Sequence, residues 1–145
     1  MNSFKSLIAA ITLNIPALAA AGTTQLPGQL EVDFTGIQEP TGAIMLAIYD
    51  SEAGYSSDKP VRGVRLVVSA AQAKTVIEGL PAGRYAIKSF HDVDGDGKMT
   101  TNPYGMPIEP CAFSNNARGN MGPASWAQAA FEVKAGANTH AITIQ

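Results

Sequence analysis

Leu30, Val32 and Phe34 alternate with Glu31, Asp33 and Thr35. A period of two sends one face to a core and the other to water, so this segment reads as a half-buried strand. Ala43 through Tyr49 (Ala-Ile-Met-Leu-Ala-Ile-Tyr) contains no charged or amide residue, as expected of a central strand covered on both faces. Residues 64–68, interrupted by Arg65, and Thr75-Val76-Ile77 give two further strands. Ala70 to Ala73 reads as a helical turn between them. Residues 84–90 give a fifth, with Tyr85 and Ile87 on one face and Ala86 and Lys88 on the other. Phe131 and Val133 alternate with polar neighbours, and so do His140, Ile142 and Ile144. Ala135-Gly136-Ala137-Asn138 reads as the hairpin turn joining these last two strands.

Turn residues separate the periodic stretches. Residues 36–42 hold Pro40, 50–60 are a polar loop, and Leu80-Pro81-Ala82-Gly83 is a turn. Residues 100–124 have no period and are rich in Asn, Gly and Pro. Irregular segments of this length in compact domains are usually functional or disordered. Tyr104, Met106, Ile108 and Phe113 are expected to pin this one to the body. Ser125 reads as the N-cap of a short turn from Trp126 to Ala129. About seven short strands, turn signals between them and no long amphipathic helix predict an all-β fold. The expected architecture is a seven-stranded antiparallel β-sandwich with one long irregular loop.

The start of the chain differs from the rest. Lys5 precedes an apolar run at 7–13, and Ala17-Leu18-Ala19 and Ala19-Ala20-Ala21 are small-residue cleavage sites. Residues 1–21 therefore read as a secretory signal, 22–28 as a linker and 29–145 as a single domain. Asn14 and Pro16 break the apolar run, leaving it too short for a permanent membrane span. The expected destination is the periplasm or the outside of the cell. Of 145 residues 124 then remain, with nine Lys+Arg against twelve Asp+Glu. That mild acidity, with no basic cluster, speaks against nucleic acid as a partner. Cys111 is the single cysteine, so no internal disulfide forms. It reads as a small buried apolar side chain.

The densest chemistry lies in His91-Asp92-Val93-Asp94-Gly95-Asp96-Gly97-Lys98-Met99-Thr100. Asp92, Asp94 and Asp96 take the first, third and fifth places of a D-x-D-x-D-G calcium loop, and Gly97 takes the sixth, where the chain turns sharply. Lys98 would offer its carbonyl at the seventh place, and Thr100 is ninth. The twelfth place, where a bidentate Glu is expected, is Pro103. Glu109 is the nearest acid downstream and the candidate to close the shell; water is the alternative. The bland reading is a Gly-rich turn whose aspartates cap their own backbone. Against it stands the mutual repulsion of three carboxylates within five residues.

Other residues admit chemistry in less specific patterns. His91 as a ligand would shift the preference toward a transition metal. Its structural alternative is a strand-end residue bonded to loop backbone. Two isolated histidines, His91 and His140, do not make a zinc site. Ser114 and Ser125 are possible nucleophiles, but neither sits in a G-x-S-x-G elbow. Asn115 and Asn116 could bond sugar hydroxyls, with Trp126 or Tyr104 stacking on a ring. The alternative places the asparagines in left-handed turns and Trp126 in a core.

Several of these motifs occur together in one known pattern. His91-Asp92 through Lys98, Tyr104-Gly105-Met106-Pro107-Ile108-Glu109, Phe113-Ser114-Asn115-Asn116, Gly122-Pro123 and Ala130-Phe131 resemble an uncharacterised bacterial exported family, domain of unknown function 2141. Leu80-Pro81-Ala82-Gly83-Arg84-Tyr85-Ala86 fits as well, and the resemblance covers residues 29–145. This chain has Asp94 and Asp96 where the family often has Asn, and Thr100 where it often has Asp. The Leu-Pro-x-Gly-x-Tyr turn also resembles transthyretin-like, immunoglobulin-like sandwich domains. What the resemblance implies is a fold, and no activity comes with it.

The leading expectation is thus an exported, non-enzymatic β-sandwich domain. Its loop would be stapled by Ca2+ on Asp92, Asp94, Asp96, the Lys98 carbonyl, Thr100 and Glu109, and would present a surface to an envelope protein or glycan. The alternatives are an envelope hydrolase using His91, Glu109 and Ser114, and a purely structural domain without metal.

Overall fold

The computed structural model describes residues 26–145; the leader assigned to 1–21 and most of the 22–28 linker lie outside them. Eight strands form the fold: β1 (Gly28–Thr35), β2 (Ala43–Tyr49), β3 (Arg62–Val67), β4 (Ala73–Leu80), β5 (Gly83–Asp92), β6 (Cys111–Phe113), β7 (Phe131–Val133) and β8 (Gly136–Thr143). They make an all-β sandwich of two sheets. One has the order β4-β1-β8, the other β3-β2-β5-β6, with β7 added to the start of β5. No helix among the described residues is long and apolar enough to cross a membrane.

The faces explain the sequence pattern. Leu30, Val32 and Phe34 of β1 and Ile142 of β8 point inward against Ile44, Leu46, Ile48 and Ile87 of the other sheet, all nearly solvent-free. Glu31 and Asp33 point out of the three-stranded sheet, where both meet Lys74 at 3.3 Å. That sheet faces water on its outer side, hence its clean alternation. The outer face of the five-stranded sheet is covered instead. Tyr49 and Ala86 pack there against Tyr55, Ala129, Phe113 and Trp126, so β2 is apolar throughout.

The covering helices are α1 (Glu52–Ser56) and α2 (Trp126–Ala129). The second is the turn expected after Ser125. The first lies in a segment read as plain loop. Its one turn starts at Ser51, whose Oγ accepts the Gly54 N–H. Tertiary contacts hold it down: the Tyr55 ring meets Tyr49 edge-on at 5.2 Å and Trp126 at 5.9 Å. The Lys88 ammonium lies 4.5 Å from the Tyr55 ring centre and donates to the Tyr55 carbonyl and to Asp58. Asp58 also accepts from the Tyr49 hydroxyl at 2.6 Å, and that bond, followed by the Lys88 one, holds its carboxyl below the usual range.

Three expectations give way. Ala70–Ala73 forms no helical turn, because β4 already begins at Ala73. The 135–138 turn is not a hairpin. β7 pairs with β5 and β8 with β1, so the turn is a corner between sheets, closed by Asn138, which accepts the Lys134 N–H and donates to the Lys134 carbonyl. The sandwich is also not wholly antiparallel. β1 and β8 run parallel from Gly28 beside Gly136 to Thr35 beside Thr143. The other corner, Leu80 to Tyr85, is closed by the Tyr85 hydroxyl donating to the Pro81 carbonyl at 2.8 Å, the bond of a tyrosine corner in Greek-key sandwiches.

Candidate functional site

β5 is the longest strand and delivers His91 and Asp92 to the rim of the sandwich. His91 shares the inward parity of Tyr85 and Ile87 and is buried. Its Nε2 donates to the Thr41 carbonyl at 2.8 Å, and its N–H donates to the Pro110 carbonyl at 2.8 Å. This is the strand-end role, with Nε2 engaged on loop backbone. The backbone at Asp92 is itself gripped. Gly42, at φ +66°, lies so close that a Cβ there would run into the Asp92 carbonyl oxygen.

Asp92 is fully buried and Asp94 and Asp96 are exposed, yet one carboxylate oxygen of each lies within 4.8 Å of the others. Gly95 and Gly97 have φ of +77° and +78°, which lets the chain wrap round the Asp92 carboxylate. Asp92 Oδ1 accepts the Gly95 N–H and Oδ2 the Gly97 N–H, both at 2.9 Å. Asp94 accepts the Asp96 N–H, and Asp96 the Lys98 N–H. An ionised carboxylate has about four acceptor positions, so these bonds leave several open. Glu109 does not join the group. Its Oε1 accepts the Val93 N–H at 3.1 Å and its Oε2 the Thr100 N–H at 2.9 Å. It thereby ties the two ends of the acidic loop together. Lys98 contributes only backbone here, and Thr100 is half-buried at the loop's end.

Beyond Thr100 the chain forms a small hairpin. Thr101 bridges Pro107, the Asn102 N–H donates to the Met106 carbonyl, and the Ile108 N–H to the Thr100 carbonyl. Asn102-Pro103-Tyr104-Gly105 is its turn, with Asn, Pro and Gly at the places where type I turns favour them. Gly105 follows at φ +79°, as in three-residue hairpin loops. Tyr104, Met106 and Ile108 do not pin this segment to the body; all three are exposed. Phe113 does, through the cluster under the helices.

The Phe113-Ser114-Asn115-Asn116 motif proves to be a structural node. Ser114 is buried; its Oγ accepts the Ile87 N–H at 2.9 Å and donates to the Ala129 carbonyl at 2.6 Å. Asn115 and Asn116 are left-handed, at φ of +60° and +50°. Asn115 donates through Nδ2 to the Gln128 and Ala130 carbonyls, and Asn116 Oδ1 accepts the Thr143 N–H. One short segment thus ties β5, α2 and β8. The left-handed turn was the alternative reading of these asparagines, and it is the one observed; their role in tying three elements together was missed, since those partners lie far along the chain.

His140 completes the node. Its ring stacks on Phe131 at 4.0 Å, and its Nε2 accepts the Asn115 N–H at 3.0 Å. Burial holds its pKa below the ordinary histidine value. The unfolded chain therefore takes up the proton first as pH falls, and stability is lost from about pH 6.5 down to the depressed folded value. Thermal melts of the wild type and His140→Gln across pH 4.5–8 test this. The wild type should lose midpoint more steeply below about pH 6.5; parallel profiles would contradict it.

The hydrolase constellation is not assembled. Ser114 sits opposite Ile87 and His91 four residues further along β5, about 13 Å at strand rise. Their polar atoms and those of Glu109 serve separate backbone partners. Two surface depressions, one lined by Cys111, Phe113, Asn116 and Arg118 and the other by Asp33, Gln72 and Lys74, hold none of the three. Cys111 is half-buried on β6, and burial raises its pKa.

No curated protein and no solved structure matches the chain. A family model does, over residues 32–141. That span takes in most of both sheets, the acidic loop, the hairpin and the serine–asparagine node. The chain belongs to the bacterial family described as "Uncharacterized protein conserved in bacteria (DUF2141)".

Proposed function

We propose that this is an exported, non-enzymatic binding or structural module of the cell envelope whose acidic loop holds a calcium ion. One observation carries the reading: Asp92, Asp94 and Asp96 stand at the spacing of a calcium loop, with an oxygen of each within 4.8 Å of the others. The donors drawn together are all oxygen, and His91 Nε2 is bonded to the Thr41 carbonyl, so the chemistry suits a hard cation. The Lys98 carbonyl and the Thr100 hydroxyl are the further donors of the loop. With Glu109 holding loop backbone, the remaining positions would be filled by oxygens from outside the chain. The ion would neutralise the acids and stiffen the loop that carries the hairpin, whose surface would meet an envelope protein or glycan.

A purely structural domain without metal is the second reading. It is favoured by the backbone N–H that each aspartate already accepts. One experiment decides between them. Millimolar calcium should raise the melting midpoint by roughly 5–10 °C over EDTA, and Asp94→Asn, at an exposed site, should abolish the rise. Equal midpoints with no bound calcium by elemental analysis would leave the metal-free reading.

A further inference from the structure

The hairpin 100–108 presents apolar side chains to water. Tyr104 is 90 % exposed, Met106 62 % and Ile108 63 %. Met106 and Ile108 stand two apart on one arm and share a face, and Tyr104 stands in the turn. No charged residue occurs from Met99 through Ile108.

The backbone of this hairpin is unusually self-contained. The N–H groups of Asn102, Gly105 and Ile108 donate to carbonyls within it. Those of Tyr104 and Met106 both donate to Asn102 Oδ1. The remaining positions from 102 to 108 are Pro103 and Pro107, which have no N–H. Irregular backbone is kept out of a lipid phase chiefly by unpaired polar groups. For the backbone donors from 102 to 108 that barrier is absent.

We propose that this hairpin docks on a phospholipid bilayer, with Tyr104, Met106 and Ile108 entering the boundary between headgroups and acyl chains. Tyrosine suits that depth, its ring in the apolar layer and its hydroxyl among the headgroups. A protein partner would accept the apolar side chains equally well. It would not call for a charge-free tip whose backbone N–H groups from 102 to 108 are all satisfied within the hairpin, since protein interfaces surround their apolar centre with polar contacts. The attachment does not rest on the cation reading, because the three aspartates lie outside the hairpin. They bear on which surface it meets: Asp94 and Asp96 at its base repel anionic lipid and leave zwitterionic lipid unopposed.

The test is co-sedimentation with phosphatidylcholine vesicles in EDTA, using the chain from residue 22, which contains every strand and core residue described above. The wild type should pellet with the vesicles. Met106→Ser with Ile108→Ser should lower its partition roughly tenfold or more at an unchanged melting midpoint, since both side chains are exposed. Failure of the wild type to pellet, or equal pelleting of the two, would overturn the proposal. Tyr104→Trp adds a direct reading: its emission should shift to the blue with vesicles, and an unshifted spectrum counts against insertion. Binding confined to phosphatidylglycerol vesicles with calcium, abolished by Asp94→Asn and surviving the double substitution, would assign attachment to a bridging cation and overturn the hairpin's role.

Discussion

Gly42→Ala lowers folding stability by roughly 2–5 kcal/mol, from a left-handed backbone imposed on a side chain plus an overlap with neighbouring main chain. The backbone at Gly42 has φ +66°, and the added methyl would meet the carbonyls of Asp92 and Val93. Neither obstacle is the flexible end of a side chain, so relief requires the start of the acidic loop to move. Gly42 also accepts the Val68 N–H through its carbonyl, and its neighbour Thr41 accepts from His91. The strain therefore reaches both sheets' connections at this rim. Urea unfolding measures the loss. Gly79→Ala is the control: its φ is +75° but a Cβ would meet nothing, so it should lose only the conformational part, about 1 kcal/mol. Equal effects at the two glycines would show that contact with the loop is not what makes Gly42 matter.

Asp92→Ala, measured in EDTA so that no cation contributes, destabilises by roughly 3 kcal/mol. The carboxylate is fully buried and accepts two backbone N–H groups at 2.9 Å from opposite sides of the turn. Hydrogen bonds to a charged acceptor are the stronger kind, and the two donors would be left partly enclosed without a partner. Asp94→Ala and Asp96→Ala remove single bonds at exposed positions and should each stay within about 0.5 kcal/mol. A loss at Asp92 no larger than at Asp94 would mean that the loop is not built round the buried aspartate.

Where a local pattern dictates the structure, the residues announce it. β1 alternates because its sheet is wet on one side. β2 does not alternate, because helices cover its far face, and both facts stand in the sequence. The Leu80–Gly83 turn and the cap at Ser125 are equally local. α1 was not legible, since a single turn has too little propensity to show, and it is held by Tyr55, Lys88 and Asp58 brought together by the fold. β6 is three residues long and exists because β5 offers an edge. The partners of β7 and β8 are a property of the assembled sheets, so an apparent hairpin became a corner. The Asn102-Pro103-Tyr104-Gly105 turn carries turn residues at their favoured places, although the segment around it has no period. At the site, the alternate spacing of the aspartates goes with a loop that wraps Asp92 and draws one oxygen of each together. It could not tell a carboxylate that holds an ion from one that holds backbone, because both tasks need the same acceptor. Glu109 took the second. Ser114 reads in sequence as a possible nucleophile, and its burial is decided by segments elsewhere in the chain.

The parallel pairing of β1 with β8 has a consequence for the order of folding. β1 is the middle strand of its sheet, and Thr35 meets Thr143 across 108 residues of sequence. Contacts so distant along the chain are slow to form, because their closure entropy must be met before they stabilise anything. A chain made or delivered from its N-terminus holds β1 early and receives β8 last. Until then one edge of β1 is bare, an open template for pairing with another chain. The three-stranded sheet can therefore close only once β8 is present, so that strand sets the time at which the acidic loop and its hairpin stand on a finished scaffold.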